Sequence, residues 1–135
     1  MTIYRDLVPD GCRVAHTAGL FGIDFSRRLE PHVFTMAERL SPDYRGGYWD
    51  FYALSNGGFY IAPAMEGDCR VRSENGFEGS VSADALGLTA CLYTYSHLSF
   101  AGETAFSEAC AEQYHLLREF SLDHAEAGAI LRAID

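Results

Sequence analysis

The sequence predicts an α+β fold: a single compact domain with an antiparallel sheet of about four strands and helices before and after it. Three observations carry that expectation. Apolar residues recur at helical spacing before residue 41 and again after residue 82. Between them, two runs of strand-forming residues are each interrupted by Asn-Gly, at Asn56-Gly57 and Asn75-Gly76. Helical patterns at both ends and strand patterns in the middle favour segregated layers over alternating βαβ units.

Pro9-Asp10 predicts the start of a first short helix, with Gly22 beyond its end. Glu30-Pro31 opens a second, where Val33, Phe34, Ala37 and Leu40 share a face before Ser41-Pro42 stops it. Tyr48-Trp-Asp-Phe-Tyr-Ala-Leu54 and Phe59-Tyr-Ile-Ala62 read as a hairpin around Asn56-Gly57. A two-residue type I′ loop there predicts that Leu54 faces Phe59, Tyr52 faces Ile61 and Phe51 faces Ala62. Both faces of that hairpin are largely apolar, so helices cover both or one is an interface, a candidate surface for a homodimer. Cys69–Ser73 and Phe77–Val81 read as a further pair turning at Asn75-Gly76. Ser82 is placed to cap a helix with Asp84 in its first turn, and Leu88, Cys91, Leu92, Tyr95 and Leu98 form a stripe along it. After Gly102, Phe106, Ala109, Cys110, Leu117 and Phe120 share one face of a second helix. Glu108, Glu112, His115 and Glu119 fall on the opposite face. Asp123-His-Ala-Glu126 resembles a capping box opening a last helix through Ile130, Leu131 and Ile134.

The chain of 135 residues fits one domain, 1–135, with an ordinary core. Its hydrophobic fraction of 48% and charged fraction of 21% exclude a disordered or fibrous chain. All ten basic residues are arginine, so chemistry that needs a lysine amine is ruled out. The net charge of −9 argues against direct nucleic-acid binding or an anionic membrane as partner. That charge lies wholly in residues 46–135, because residues 1–45 balance six arginines against six acids. Ala85 to Gly102 holds 18 residues without a formal charge, but its hydroxyls, His97 and acidic flanks predict a buried helix instead of a membrane span. The opening Met1-Thr-Ile-Tyr-Arg-Asp6 lacks the regions of a signal peptide, so a cytoplasmic protein with free thiols is expected.

Several motifs invite a chemical reading. Cys12, Cys69, Cys91 and Cys110 are 57, 22 and 19 residues apart, without the spacing of a zinc motif. Glu112-x-x-His115 matches half of a di-iron site, but no second such motif exists and the pair lies on the polar helix face. No metal or cofactor is therefore expected. Gly79-Ser-Val-Ser-Ala83 lacks the second glycine of a nucleophile elbow, and the five histidines are scattered. An enzyme is accordingly disfavoured. The row Arg45-Gly-Gly-Tyr48 combines residue types that dominate protein–protein contacts. Arg45, Tyr48, Asp50 and Asn56 are the candidate interaction residues, while Trp49 and Phe51 read as core.

Tyr44-Arg-Gly-Gly-Tyr-Trp-Asp-Phe-Tyr-Ala-Leu-Ser-Asn-Gly-Gly-Phe-Tyr-Ile-Ala-Pro63 resembles the central signature of the ArdB/KlcA antirestriction proteins. Ser82-Ala-Asp-Ala-Leu-Gly87, Tyr114-His-Leu-Leu-Arg-Glu-Phe120, His124-Ala-Glu-Ala127 and Ala129-Ile-Leu-Arg-Ala-Ile-Asp135 resemble later blocks of that family. Ala125 departs from it, standing where proline follows the histidine. The resemblance implies a cytoplasmic antirestriction protein of a plasmid or other mobile genetic element, protecting incoming unmodified DNA from type I restriction-modification systems. It implies an α+β fold and supplies no catalytic residues.

Three mechanisms compete at this level: binding of the type I restriction enzyme or of a host factor acting on it, acidic DNA mimicry, and an uncharacterised hydrolase. A compact domain of this length is on the order of 36 Å across. Duplex DNA of that length presents roughly 20 phosphates. A net charge of −9 is less than half of that, which favours protein–protein interaction.

Overall fold

Helices occupy both ends of the chain and strands the middle, in a computed structural model that describes residues 2–100 and 102–135. A short strand that the sequence pattern does not predict, β1 (Arg5–Leu7), comes first. One 3-10 turn at Asp10–Cys12 leads into α1 (Arg13–Phe21), which ends at Gly22. A π-helical turn, Phe25–Leu29, runs without a break into α2 (Glu30–Leu40). Then follow β2 (Trp49–Leu54), β3 (Phe59–Pro63), β4 (Asp68–Arg72) and β5 (Glu78–Ser82). The chain closes with α3 (Ala83–Ser99), α4 (Ala105–Leu122) and α5 (Ala127–Ile134). The α+β expectation holds. The described strands number five and fall into two antiparallel sheets, β1-β2-β3 and β4-β5.

The first hairpin turns where expected but with a different loop. Leu54 N–H donates to the Gly58 carbonyl at 2.9 Å, and Gly57 N–H donates to the Leu54 carbonyl at 3.0 Å. The loop therefore has three residues, Ser55-Asn56-Gly57. Only Gly57 takes a positive φ, 93°, while Asn56 stays in the ordinary region. This is the turn-plus-bulge form of a hairpin, not type I′. Cross-strand pairs are Phe51 with Ile61, Tyr52 with Tyr60 and Ala53 with Phe59, one residue away from the expected register. A slip of one residue exchanges the faces of β3 relative to β2. Tyr60 thus stacks on Tyr52 at 5.1 Å, and Phe59 joins Phe51 on the other face at 5.7 Å. The loop is selected from outside the hairpin. Asn56 Nδ2 donates to the Leu116 carbonyl of α4 at 2.9 Å, and Gln113 Nε2 donates to the Gly57 carbonyl at 3.1 Å.

Both faces are covered. Phe21, Phe25 and Phe34, from α1, the π turn and α2, pack on Phe59, Phe51 and Trp49 at centroid distances of 5.2–6.1 Å. Phe120 of α4 lies 5.8 Å from Tyr60 on the opposite face. The edge of β3 is closed by α3 in an unusual way. Tyr95 Oη donates to the Phe59 carbonyl at 2.7 Å, and Cys91 Sγ lies 3.5 Å from both backbone polar atoms of Ile61. Side chains thus satisfy an edge that would otherwise be open for pairing. The uncharged run forms this helix from Ala85 as far as Ser99, buried on almost every side.

Candidate functional site

The loop of residues 41–48 joins α2 to β2. Gly46 and Gly47 both take positive φ, 85° and 108°, and set the path that presents Arg45 and Tyr48 to solvent. Tyr48 is 53% exposed yet held in place. Its hydroxyl donates to Asp10 and accepts from Arg13 Nη2 at 2.7 Å. The Arg13 guanidinium also lies over the Tyr48 and Phe51 rings, at 4.8 and 4.1 Å, and donates to the Trp49 carbonyl at 2.9 Å. The hydrogen bond to Asp10, followed by partial burial, pushes the Tyr48 phenol up. Trp49 is buried, with Nε1 donating to Tyr44 Oη at 3.0 Å, as its core reading requires.

The four candidate interaction residues do not converge. Arg45 and Tyr48 sit before the start of β2, whereas Asn56 is at its far end, about 20 Å along a six-residue strand. Asn56 is half-buried and its amide is engaged with α4. Asp50 is half-buried in β2 and lines a groove with Tyr52 and Arg5. Asp10 and Arg13, the partners that order Tyr48, carry no sequence signal because they lie 38 and 35 residues away.

A second polar centre forms around Asp84 in the first turn of α3, joining residues of three blocks that carry the family resemblance but that no sequence spacing links to one another or to Arg5. Arg5 Nη1 donates to Asp84 Oδ1 at 2.6 Å and to Tyr60 Oη at 2.6 Å. Tyr60 Oη donates in turn to Asp84 Oδ1 at 2.8 Å, and His124 Nε2 reaches Oδ2 at 2.8 Å. Arg5 also lies 4.2 Å over the Tyr52 ring. Burial pushes the Asp84 carboxyl up, but His124, Tyr60 and Arg5 outweigh it and hold it below the ordinary value. Tyr60 is pushed well up, first by burial and then by the Asp84 charge.

Within this centre the ring of His124 is fully engaged. Glu126 N–H donates to His124 Nδ1 at 2.9 Å, which assigns the ring proton to Nε2 and leaves no lone pair for a substrate. Ser82 Oγ caps α3 by accepting from Ala85 N–H at 3.1 Å, and it donates to Glu126. The Glu126 carboxylate also accepts from Ser82 N–H at 2.9 Å. Glu126 therefore tethers α3, and the expected capping box with Asp123 does not form: Asp123 ends α4 instead.

The other histidines form no triad. His32 and His97 meet at 3.3 Å without a carboxylate partner among the described residues. Burial, followed by His97, pushes His32 down. His16 is half-buried beside Phe59, and His115 is exposed with Glu112. Cys69, Cys91 and Cys110 are buried, Cys12 is exposed, and all four are free. Burial pushes Cys91 and Cys110 up to about 12, so both remain thiols. Among the described residues, no three His, Cys, Asp or Glu side chains gather as metal ligands, and no helix is long and apolar enough to cross a membrane.

The family model for antirestriction proteins matches residues 42–135, a span that takes in Tyr48 and most of the Asp84 centre. The chain belongs to the antirestriction protein family. It is 44% identical over 133 residues to the antirestriction protein KlcA of Escherichia coli, across 95% of this chain and 90% of that protein. A second Escherichia coli KlcA is 40% identical over 136 residues, across 98% and 95% of the two chains. A solved structure from work on KlcA and ArdB superposes with a TM-score of 0.91 at 39% identity, covering 100% of this chain and 96% of that one. Those proteins are described as showing a novel fold and antirestriction activity against type I DNA restriction systems in vivo but not in vitro. In this antirestriction protein, β1 and its Arg5 precede the span that the family model matches, and Arg5 reaches into that span to pair with Asp84.

Proposed function

We propose that residues 1–135 act as one antirestriction-type domain that protects unmodified DNA from type I restriction by binding a protein, without catalysis. The partner is the restriction enzyme or a host factor acting on it, and the setting is the cytoplasm of a cell that has received a plasmid or other mobile element. The observation that carries this reading is the exposed loop that presents Arg45 and Tyr48, with Tyr48 held in place by its neighbours. Tyrosine and arginine dominate binding hot spots, and a tyrosine already held by Asp10 and Arg13 loses little freedom on docking. Activity of KlcA and ArdB in vivo but not in vitro supports dependence on a cellular component. Asp50 and Asn56 stand apart from this pair, and the proposal rests on Arg45 and Tyr48.

Mimicry of DNA is less well supported. Asp10, Asp43, Glu78, Asp84 and Asp135 are each within ion-pair distance of an arginine, which breaks up the negative field.

The test is transformation of a host carrying a type I system with unmodified plasmid. Arg45→Ala and Tyr48→Ala are expected to reduce protection at unchanged expression. Changing Glu108, Glu112 and Glu119 together to Gln, which takes the charge from −9 to −6, is expected to leave most of it. All three are exposed, so the change costs little stability. Loss of protection in the folded triple variant, with both alanine variants active, would establish mimicry instead.

A further inference from the structure

We infer that His32 and His97 form a two-histidine site for a divalent transition-metal ion of the zinc class, bridging α2 and α3. The rings face each other through His32 Nε2 and His97 Nδ1, 3.3 Å apart, with centroids 5.5 Å apart. Two imidazole nitrogens this close can share one proton or hold a metal ion between their lone pairs. The separation discriminates between ions. Nitrogens bound to one ion at about 2.0–2.1 Å stand about 3.3–3.4 Å apart in the tetrahedral geometry of zinc, and about 2.8–3.0 Å apart across a right angle in square-planar or octahedral geometry. The pair matches the tetrahedral case. As a hydrogen bond the contact is long, beyond the about 2.7–3.2 Å that separates an N–H donor from an oxygen.

Both ligands stand on rigid supports. His32 precedes the buried Val33 in α2, and His97 precedes the buried Leu98 in the last turn of α3. Sites carried by packed helices hold their geometry better than sites on loops. His32 is half-buried and His97 exposed, so an ion enters from solvent. The carbonyl end of α3 and the net charge of −9 favour a cation there, while Arg39, whose charge acts on His32, opposes it. Among the described residues, no third His, Cys, Asp or Glu joins the pair. Water therefore completes the coordination, and the ion is held less tightly than in a four-ligand structural site. Imidazole selects zinc over magnesium and calcium, which take oxygen ligands. The two histidines are 65 residues apart, so residue spacing predicts no metal where the fold assembles a pair. An ion held there ties α2 to α3 and stabilises the folded chain by mass action.

The test is a titration of the isotope-labelled full chain, stripped of metal, with Zn2+ and with Mg2+ at neutral pH. One Zn2+ per chain is expected to bind with a Kd on the order of 10 µM and to move the imidazole resonances of His32 and His97 most. Mg2+ should move neither. His32→Gln and His97→Gln should each weaken Zn2+ binding about tenfold or more and remove the zinc-dependent rise in Tm. Cys12→Ser and His115→Gln, which delete other exposed single ligands, should leave the affinity unchanged. No saturation below about 1 mM, equal binding of Mg2+, or unaltered affinity in either His32→Gln or His97→Gln would overturn the inference. So would loss of binding in Cys12→Ser or His115→Gln, which would make the ion adventitious and place it elsewhere. If a histidine variant fails to fold, the unaltered chain still decides: zinc shifts centred on any other histidine refute the site. Zinc binding is read without DNA protection, so this site and the protein-binding reading fail separately.

Discussion

Gly87 lies near the start of α3, where alanine would ordinarily stabilise a helix by about 1 kcal/mol. Here a Cβ would stand 2.5 Å from the Ala62 Cα and 2.5 Å from the Ile61 carbonyl oxygen, both backbone atoms of β3. The absence of a side chain is what lets α3 close on the edge of the sheet. Gly87→Ala is therefore expected to destabilise, by roughly 1–3 kcal/mol as for other overpacked cores. Urea unfolding reads the sign directly, and an unchanged or raised midpoint would refute the close approach. At the same scale, residue type alone marks Tyr48 as a candidate for binding and Trp49 as core. Nothing local marks Asp10 and Arg13, which order Tyr48 through hydrogen bonds made only on folding.

Two hairpins share one construction. Gly57 and Gly76 take φ of 93° and 90°, while Asn56 Oδ1 accepts from Gly58 N–H at 2.9 Å and Asn75 Oδ1 from Phe77 N–H at 3.1 Å. Each asparagine then donates to a helix carbonyl, Leu116 of α4 at 2.9 Å or Arg132 of α5 at 2.8 Å. The Asn-Gly pairs are legible as turns, but the choice between two-residue and three-residue loops belongs to the helices that the tips touch. Asn56→Ala is expected to cost about 1–2 kcal/mol in chemical denaturation, because it leaves the Gly58 N–H without its partner and removes the tie from the loop to the Leu116 carbonyl. Reduced protection with unaltered stability would instead make Asn56 a binding residue. The last element shows the same limit: Glu126 has the spacing of a cap for α5, yet its carboxylate is engaged by Ser82 of another helix start.

Across the whole molecule, Asp84 ties together β1, β3, α3 and the α4–α5 link through Arg5, Tyr60 and His124. Its carboxyl is held below its unfolded value, so the unfolded chain takes up the proton first as pH falls. The stabilisation is present in full above the ordinary carboxylate range and is lost as pH falls through the folded value. Asp43, held at about 2 by hydrogen bonds from Arg70, acts in the same window. The urea midpoint is expected to fall between about pH 5 and about pH 2, and to fall less steeply in Asp84→Asn. An identical slope in the variant would show that the Asp84 centre does not set acid stability.

By itself the sequence determined the fold class, the places where the chain turns, the buried α3 and the family, because these follow from local periodicity, turn chemistry and contiguous motifs. Tertiary structure alone decided the loop length and hence the faces of β3, the pairing of β1, and the meeting of Arg5, Tyr60, Asp84 and His124. The physical reason is one of range. Helical and strand patterns are written within a few residues, whereas these contacts join groups 24 to 79 residues apart and form only when packing brings their elements together.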